Sequence, residues 1–297
     1  MRWEDLREEE FKDAIDRCGG LCVLPIGCIE KHGQHLPVGT DSLHGIGIAE
    51  RAAAKEEVCV FPAAMWLGDV VTYHSLKHPA EQRMSGYISL EPYGLIKALT
   101  ELCEEIARNG FRKILILNAH GGNVPFLDYF VRSYAYERRD HAVMWTWSLA
   151  FAKMEPVRMY KQIAKARKGD FKMVTDEDME TLARFAETGC GGGHADLRET
   201  GLIMGMYPEL VAEDRFLTES GLSTHRADYL TEMGIHTGNE WISNFPNAYE
   251  GYAPVGCTET LGEAMVHISV NRLCKIFRRL KADEDCVRMA MGLPRAD

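Results

Sequence analysis

The stretch Arg112-Lys113-Ile114-Leu115-Ile116-Leu117-Asn118 decides the fold. Its core is apolar on successive residues, so both faces of a strand here must be buried, as in a parallel sheet covered by helices. Upstream, Glu91 to Asn109 sets apolar side chains at Leu95, Leu99, Leu102 and Ile106, a helical stripe that Gly110 ends. Downstream, Val124 to Arg138 reads as a helix and Ala142 to Trp147 as another strand. Further out, Leu21 to Ile26 and Val58 to Pro62 read as strands, with Ser42 to Ala54 as the helix between them. Asp176 to Thr188, Glu199 to Tyr207 and Leu261 to Leu280 read as later helices. Strand–helix alternation of this kind predicts an α/β fold around a mostly parallel, doubly wound sheet. There is no internal repeat or low-complexity linker, so a single domain over residues 1–297 is expected. Residues 212 to 259 mix Gly, Asn, Thr and aromatics and predict no regular element; pocket walls and subunit contacts are both open for them.

Composition narrows the function classes. Apolar residues make up 46% and charged residues 26% of the chain, which suits a globular protein with a sizeable core. The net charge of −10 argues against nucleic acid as a partner, because that binding neutralises phosphates with Lys and Arg. The start Met1-Arg2-Trp3-Glu4-Asp5-Leu6 is charged and carries no secretory apolar stretch, and no run is long enough to span a bilayer, so a cytoplasmic protein without membrane contact is expected. The nine cysteines are scattered and form no Cys-x-x-Cys pair, which removes support for a zinc ribbon and suits reduced, packed thiols.

In open α/β sheets, ligands bind beyond the carboxyl ends of strands. Two such ends are dense in polar groups. The first strand runs into Glu30-Lys31-His32-Gly33-Gln34-His35-Leu36-Pro37-Val38-Gly39-Thr40-Asp41. Glu30 and His32 lie two apart, so in extended chain they project to one side. A carboxylate and an imidazole are ordinary ligands for Zn²⁺, Mn²⁺ or Fe²⁺. Asp41 follows a Gly- and Pro-bearing loop that can fold back on the pair, and its two oxygens can bridge two ions. The central strand runs into Asn118-Ala119-His120-Gly121-Gly122-Asn123, whose His120 supplies a further ligand. Taken alone, Gly121-Gly122-Asn123 is equally a turn into a helix or an anion loop at a helix N-terminus. Taken together, three acid or imidazole ligands within twelve residues and a fourth at a later strand end are hard to explain by packing, since buried charges are costly unless paired or metal-bound. A third segment, His194-Ala195-Asp196-Leu197-Arg198-Glu199-Thr200, enters a helix. His194 has the right chemistry for a proton shuttle; Asp196 also fits a plain helix cap.

The three segments together resemble the creatininase family of amidohydrolases. Residues 30 to 41 resemble its Glu-x-His-Gly-x-His-Leu-Pro…Gly-Thr-Asp motif, 118 to 123 its Asn-x-His-Gly-Gly-Asn motif, and 194 to 201, in part, its His-Ala-Gly-Glu-x-Glu-Thr-Ser motif. The resemblance implies a three-layer α/β fold, one or two divalent ions and a homohexamer. By residue, it implies metal binding at Glu30, His32, Asp41, His120 and Glu199, with His194 acting near the substrate. It further implies a substrate contact at His78; Gly121, Gly122 and Asp196, where this chain departs from the family pattern, are expected as substrate contacts from their own chemistry. Creatininase itself carries a Tyr and a metal-binding Glu just after the His of the second motif, where this chain has Gly121 and Gly122, so Glu199 is the replacement ligand. Trp145 and Trp147 sit in a strand and are expected in the core.

The resulting expectation is hydrolysis of a carbon–nitrogen bond in a small cyclic amide or formamide-like substrate through a metal-activated water. His194 protonates the leaving nitrogen and the N–H groups of Gly121 and Gly122 face the oxyanion. The alternative is ring-opening carbon–carbon hydrolysis of a dehydro-inosose in inositol breakdown, a polyhydroxylated substrate that Asp196 and Arg198 would suit. A nucleotide binder using 118 to 123 as an anion loop lacks the Gly-x-Gly-x-x-Gly and Gly-Lys-Ser/Thr fingerprints and leaves Glu30, His32 and Asp41 idle.

Overall fold

The computed structural model describes residues 1–70, 85–152, 154–188 and 193–294. Among the described residues four parallel strands form one sheet: β1 (Leu21–Ile26), β2 (Cys59–Val60), β3 (Lys113–Asn118) and β4 (Ala142–Trp147), in the order β2-β1-β3-β4. In chain order the helices are α1 (Phe11–Arg17), α2 (Thr40–Glu56), α3 (Pro92–Arg108), α4 (Asn123–Tyr134), α5 (Pro156–Lys168), α6 (Asp176–Glu187), α7 (Leu197–Met204), α8 (Asp228–Thr231), α9 (Glu240–Asn244), α10 (Glu259–Lys281) and α11 (Asp285–Ala290).

The continuous apolar strands do what their pattern requires. All six residues of β1 and of β3 are buried. Leu21 and Val23 of β1, with Leu115 and Leu117 of β3, face one core shared with α2, α5, α6, α7 and α10. Cys22, Leu24, Ile114 and Ile116 face the other, against Leu95, Leu99, Cys103 and Ile106 of α3 and Leu127 and Phe130 of α4. The sheet is therefore the middle of three layers. Each of these buried Leu and Ile side chains contributes roughly 1.5–3 kcal/mol of burial.

Local signals set the helix limits. Glu91 caps α3 by accepting from Gly94 N at 2.9 Å, with Pro92 at the first helical position. Thr258 caps α10 by accepting from Leu261 N at 3.0 Å. Helix α5 was not expected. Its apolar stripe of Met159, Ile163 and Ala166 is diluted by Arg158, Lys161, Lys165, Arg167 and Lys168. The strand expected over 58–62 shortens to Cys59–Val60, continued by Phe61 N donating to Val23 O at 2.8 Å; Pro62 has no N–H to extend the ladder. Helix α2 begins at Thr40, two residues earlier than its pattern suggested. Asp41 thus sits in a first helical turn rather than in the loop expected for it, where the helix dipole favours its negative charge. No helix among the described residues is long and apolar enough to cross a membrane.

Parallel strands put their carboxyl ends on one edge. From β1 the chain departs to β2 on one side, and β3 and β4 build the other, so β1 and β3 flank the switch point where a crevice opens.

Candidate metal centre

The exits of β1 and β3 are tied together by the two asparagines of the second motif. Asn118 Nδ2 donates to His120 O at 2.8 Å, Asn123 Nδ2 donates to Asn118 Oδ1 at 3.0 Å and to Gly27 O at 3.1 Å, and Asn123 Oδ1 accepts from Asp69 N at 2.7 Å. These bonds turn β3 sharply and hold His120 over the loop that follows β1. Gly122 is required by the turn, because a Cβ there would collide with His120 Nε2. In the β1 loop, Gly33 takes φ +60°, a left-handed conformation that allows His32 to bridge back to Leu36.

Six sequence-predicted residues converge on this point. Asp41 is the centre of the group. Its Oδ2 lies 2.9 Å from His120 Nδ1, which in turn is 3.1 Å from Glu30 Oε1. Its Oδ1 lies 3.3 Å from His32 Nε2, which is 3.7 Å from Glu199 Oε2. His194 Nδ1 closes the ring, 3.6 Å from Glu30 Oε1 and 4.0 Å from Glu199 Oε2. Glu30, His32, Asp41 and His120 are buried and Glu199 is nearly so. Three overlapping groups have ligand atoms close enough for one ion each: Cys28, Glu30, Asp41 and His120; Glu30, His32 and His194; and His32, Asp41 and Glu199.

The imidazoles are arranged as metal ligands need to be. Each gives one ring N–H to a backbone carbonyl and turns its other nitrogen to the carboxylates. His120 Nε2 pairs with Asp69 O at 2.9 Å, His32 Nδ1 with Glu30 O at 3.1 Å and His194 Nε2 with Lys31 O at 2.7 Å. Such carbonyls fix the tautomer that leaves a lone pair facing the ion. The electrostatics agree. Burial opposes charge on His32, but Asp41, Glu199 and Glu30 raise it to about 9. His120 is likewise raised against its burial by the carboxylates of Glu30 and Asp41. Burial would raise Glu30, yet His120 and His194 bring it down to about 2; Asp41 is driven well below its usual range by His32 and His120, against its own burial. Burial lifts Glu199 to about 7. Buried carboxylates that draw protons onto neighbouring imidazoles are a cluster short of positive charge, which divalent cations would supply. The donor set fits metal.

Beside the cluster lies a cavity of about 380 Å³. Glu30, His120, His194 and Glu199 form its end at the cluster, and Gly121, Gly122 and Asp196 line its wall. Asp196 does so with its carboxylate engaged. It caps α7 through Arg198 N at 2.8 Å and takes the Arg198 guanidinium at 2.9 Å and 2.5 Å. His78 lies outside the described residues. Both tryptophans of β4 are partly buried and pack against a core: Trp145 on the α3–α4 side, where it donates to Asp128, and Trp147 on the other, where it also lines the cavity. Residues 212–259 supply wall: Trp241 and Glu250 both reach the cavity. Glu250 is placed by two backbone bonds with His194, each 2.9 Å.

Two residues at the centre escaped sequence reasoning. Cys28 donates its thiol to Asp41 Oδ2 at 3.1 Å; burial keeps it protonated. His44 is fully buried 3.7 Å from Asp41 Oδ1, and neither ring nitrogen has a hydrogen-bond partner among the described residues. Its position three residues after Asp41 on one helix was the available signal.

A family model described as creatinine amidohydrolase (creatininase) matches residues 4–277. The chain belongs to the creatininase family. As a creatininase-family protein it is a hydrolase, and its clustered carboxylates and imidazoles are a candidate metal-binding cluster. It is 25% identical over 219 residues to creatinine amidohydrolase of Pseudomonas putida, covering 70% of this chain and 72% of that one. It is 27% identical over 119 residues to 3-dehydro-scyllo-inosose hydrolase of Thermotoga maritima, covering 40% of this chain and 35% of the relative. Among solved structures, a mutant creatininase of Zn–Zn type shares the fold at TM-score 0.63 and 18% identity, over 95% of this chain and 98% of that chain.

Proposed function

We propose that this creatininase-family hydrolase cleaves a carbon–nitrogen bond in a small cyclic amide or formamide-like substrate, at a centre where Asp41 is shared between two divalent ions. The carrying observation is that the two oxygens of Asp41 face two donor sets. Glu30 and His120 lie by Oδ2, while His32 lies by Oδ1 with Glu199 beyond it. Glu30, Asp41 and His120 would hold one ion; His32, Asp41 and Glu199 would hold the other, Glu199 standing in for the acid that creatininase carries where this chain has Gly122. Such ions lower the pKa of a bound water from ~15.7 towards ~7 and polarise a carbonyl.

The chain's own residues supply the rest. His194 commits Nε2 to the Lys31 carbonyl, which leaves Nδ1 toward the cluster and cavity. Burial and His32 lower its basicity, so it is neutral at pH 7 and can take a proton at Nδ1 and pass it to a leaving nitrogen. Gly121 and Gly122 leave the wall beside His120 without side chains, so their backbone can approach an oxyanion. Trp147, Leu149 and Trp241 give apolar wall that keeps water from the rest of the substrate. The cytoplasmic location and the homohexamer belong to this reading. Exposed Leu217, Leu222, Tyr229 and Met233 offer apolar surface for subunit contact.

Ring-opening carbon–carbon hydrolysis has in its favour the dehydro-inosose-hydrolysing relative. Against it, Asp196 and Arg198, the groups suited to a polyol, are occupied with each other. The test is metal analysis of the purified protein, followed by assay of the metal-restored enzyme on cyclic amides, formamides and 3-dehydro-scyllo-inosose. Conversion of an amide to its carboxylate, with the nitrogen released as free amine from a formamide or kept in the ring-opened product of a cyclic amide, supports the first reading. Amine-free opening of the inosose, without turnover of any amide, rejects it. Full activity in metal-stripped Asp41→Ala would reject metal dependence altogether.

A further inference from the structure

One donor at the centre lies outside all three motifs that tie the chain to its family. Cys28 leaves the end of β1 two residues before Glu30. It is fully buried, and its Sγ lies 3.1 Å from Asp41 Oδ2. That oxygen is the one His120 Nδ1 approaches at 2.9 Å, with Glu30 Oε1 3.1 Å from the same nitrogen. The four donor atoms lie within 4.8 Å of one another. Donors on one tetrahedral ion, with bonds of about 2.0–2.3 Å, stand roughly 3.3–3.6 Å apart, so an ion can gather these four with small movements. The thiol is also held in place. Ser42 Oγ donates to Cys28 O at 3.1 Å, and Ser42 adjoins Asp41 on α2, so thiol and carboxylate are fixed side by side. Gly68 packs against the cysteine, where a Cβ would stand 3.0 Å from Cys28 Cβ. The other donor set, His32, Asp41 and Glu199, contains no sulfur.

We propose that Cys28 is the fourth protein ligand of the ion held by Glu30, Asp41 and His120, and that its sulfur makes this half of the centre select Zn²⁺ over Mn²⁺. The proposal rests on the two-ion reading above for the other three ligands. Binding exchanges one bond for another: the S–H bond breaks, a sulfur lone pair goes to the ion and the proton leaves to solvent, with no change of oxidation state. Charge balance favours the exchange. Two divalent ions bring four positive charges to a buried centre, and Glu30, Asp41 and Glu199 answer three of them. A thiolate answers the fourth, and a buried charge left uncompensated is costly. Thiolate is a soft ligand that suits Zn²⁺, whereas carboxylates suit Mn²⁺ as well. The two halves of the centre are therefore unequal, and a mixed zinc–manganese protein carries its zinc on the Cys28 side.

The test loads the whole protein with Co²⁺ and, separately, with Zn²⁺. The cobalt-loaded wild type is expected to show a sulfur-to-cobalt charge-transfer band in the near ultraviolet. X-ray absorption of the zinc-loaded wild type is expected to show sulfur at ~2.3 Å, about one for every two zinc ions. Cys28→Ser keeps a hydrogen-bond donor for Asp41 Oδ2, and Cys28→Ala removes it. Both are expected to lose the band and the sulfur, and to bind Zn²⁺ at one position about tenfold or more weakly while Mn²⁺ affinity changes by less than about threefold. Bound metal without sulfur in the wild type, or a band that survives both substitutions, overturns the inference and leaves the thiol a hydrogen-bond donor to Asp41. A wild type that binds neither ion overturns it together with the two-ion reading. One ion per chain, bearing the sulfur that the substitutions remove, supports the Cys28 ligand and rejects the second ion.

Discussion

Stripping the divalent ions should cost this protein stability in a predictable amount. An ion present at a thousand times its Kd adds about 4 kcal/mol to folding. A chain of 297 residues unfolds with an entropy of roughly 0.6 kcal/mol/K, taking about 2.1 cal/mol/K per residue. Each ion lost therefore lowers the midpoint by about 7 °C, and both together by about 13 °C. The shift should grow with pH. Without ions the cluster is held by protons: His32 is raised to about 9 and Glu199 to about 7. A raised folded-state pKa contributes stability that is present below the unfolded value and lost as pH climbs through the folded one. The ion-free protein should accordingly weaken from about pH 5 to pH 9, while the loaded protein, whose carboxylates face cations, should not. The assay is a thermal scan with chelator, with chelator followed by excess Zn²⁺ or Mn²⁺, and at three pH values. Glu199→Gln should keep the Glu30–Asp41–His120 set and show about half of the shift. Asp41→Ala, which removes one of the crowded carboxylates, should fold and show almost none. A chelator shift under about 1 °C in the wild type, or a full shift in Asp41→Ala, refutes the shared-aspartate arrangement.

Asp196→Ala removes the carboxylate paired with the guanidinium of Arg198, whose side chain is 4% exposed, and should lower stability by about 3–5 kcal/mol in urea titrations; a loss under about 1 kcal/mol would mean that the guanidinium's other contacts hold it without the pair. Gly122→Ala pushes a methyl into His120 Nε2 and should weaken metal affinity about tenfold or more by turning that ring off the Asp69 carbonyl, while Gly121→Ala, with nothing within 4 Å of the new Cβ, should leave it unchanged. His35, which burial lowers to about 4, should resist protonation in the folded state. Its contribution is present above the ordinary pKa of about 6.5 and lost as pH falls toward 4, by up to about 3 kcal/mol; His35→Gln should flatten that part of the acid unfolding curve.

What was legible in the sequence was whatever rests on local period and short spacing. The unbroken apolar run of β3 announced a strand buried on both faces, and its alternate residues do divide between two cores. The two-residue spacing of Glu30 and His32 placed both on the Asp41 side. Long-range pairing was not legible. Trp241 and Glu250 enter the cavity because Glu250 bridges to His194, a contact between segments far apart in sequence and without periodicity of their own. Nor was the place of Trp147 in the cavity wall, because an apolar strand residue at a sheet's carboxyl end reads the same whether it meets a helix or a pocket. His44 was hidden for a related reason: inside a helix, a histidine reveals its use only once the helix start, and hence its face, is known.

On the proposed reading, Glu199 of α7 takes the place of an acid in the turn after His120, and that exchange changes more than one ligand. Glycines at 121 and 122 leave room against the centre on the β3 side, where they line the cavity. Glu199, by contrast, belongs to a segment bonded to the opposite wall. Its Oε2 accepts from Ala195 N at 2.6 Å, and the adjacent His194 exchanges both backbone bonds with Glu250. The His32 side of the centre and the Trp241–Glu250 wall are thus parts of one hydrogen-bonded unit. A displacement of Glu250 pulls on the same backbone bridge that positions His194 and, through Ala195, Glu199. In such an arrangement substrate recognition and metal geometry are not independent. Substitutions on the wall should therefore register in metal affinity as well as in substrate affinity, in proportion to how far they shift the His194–Glu250 bridge rather than how much side chain they remove.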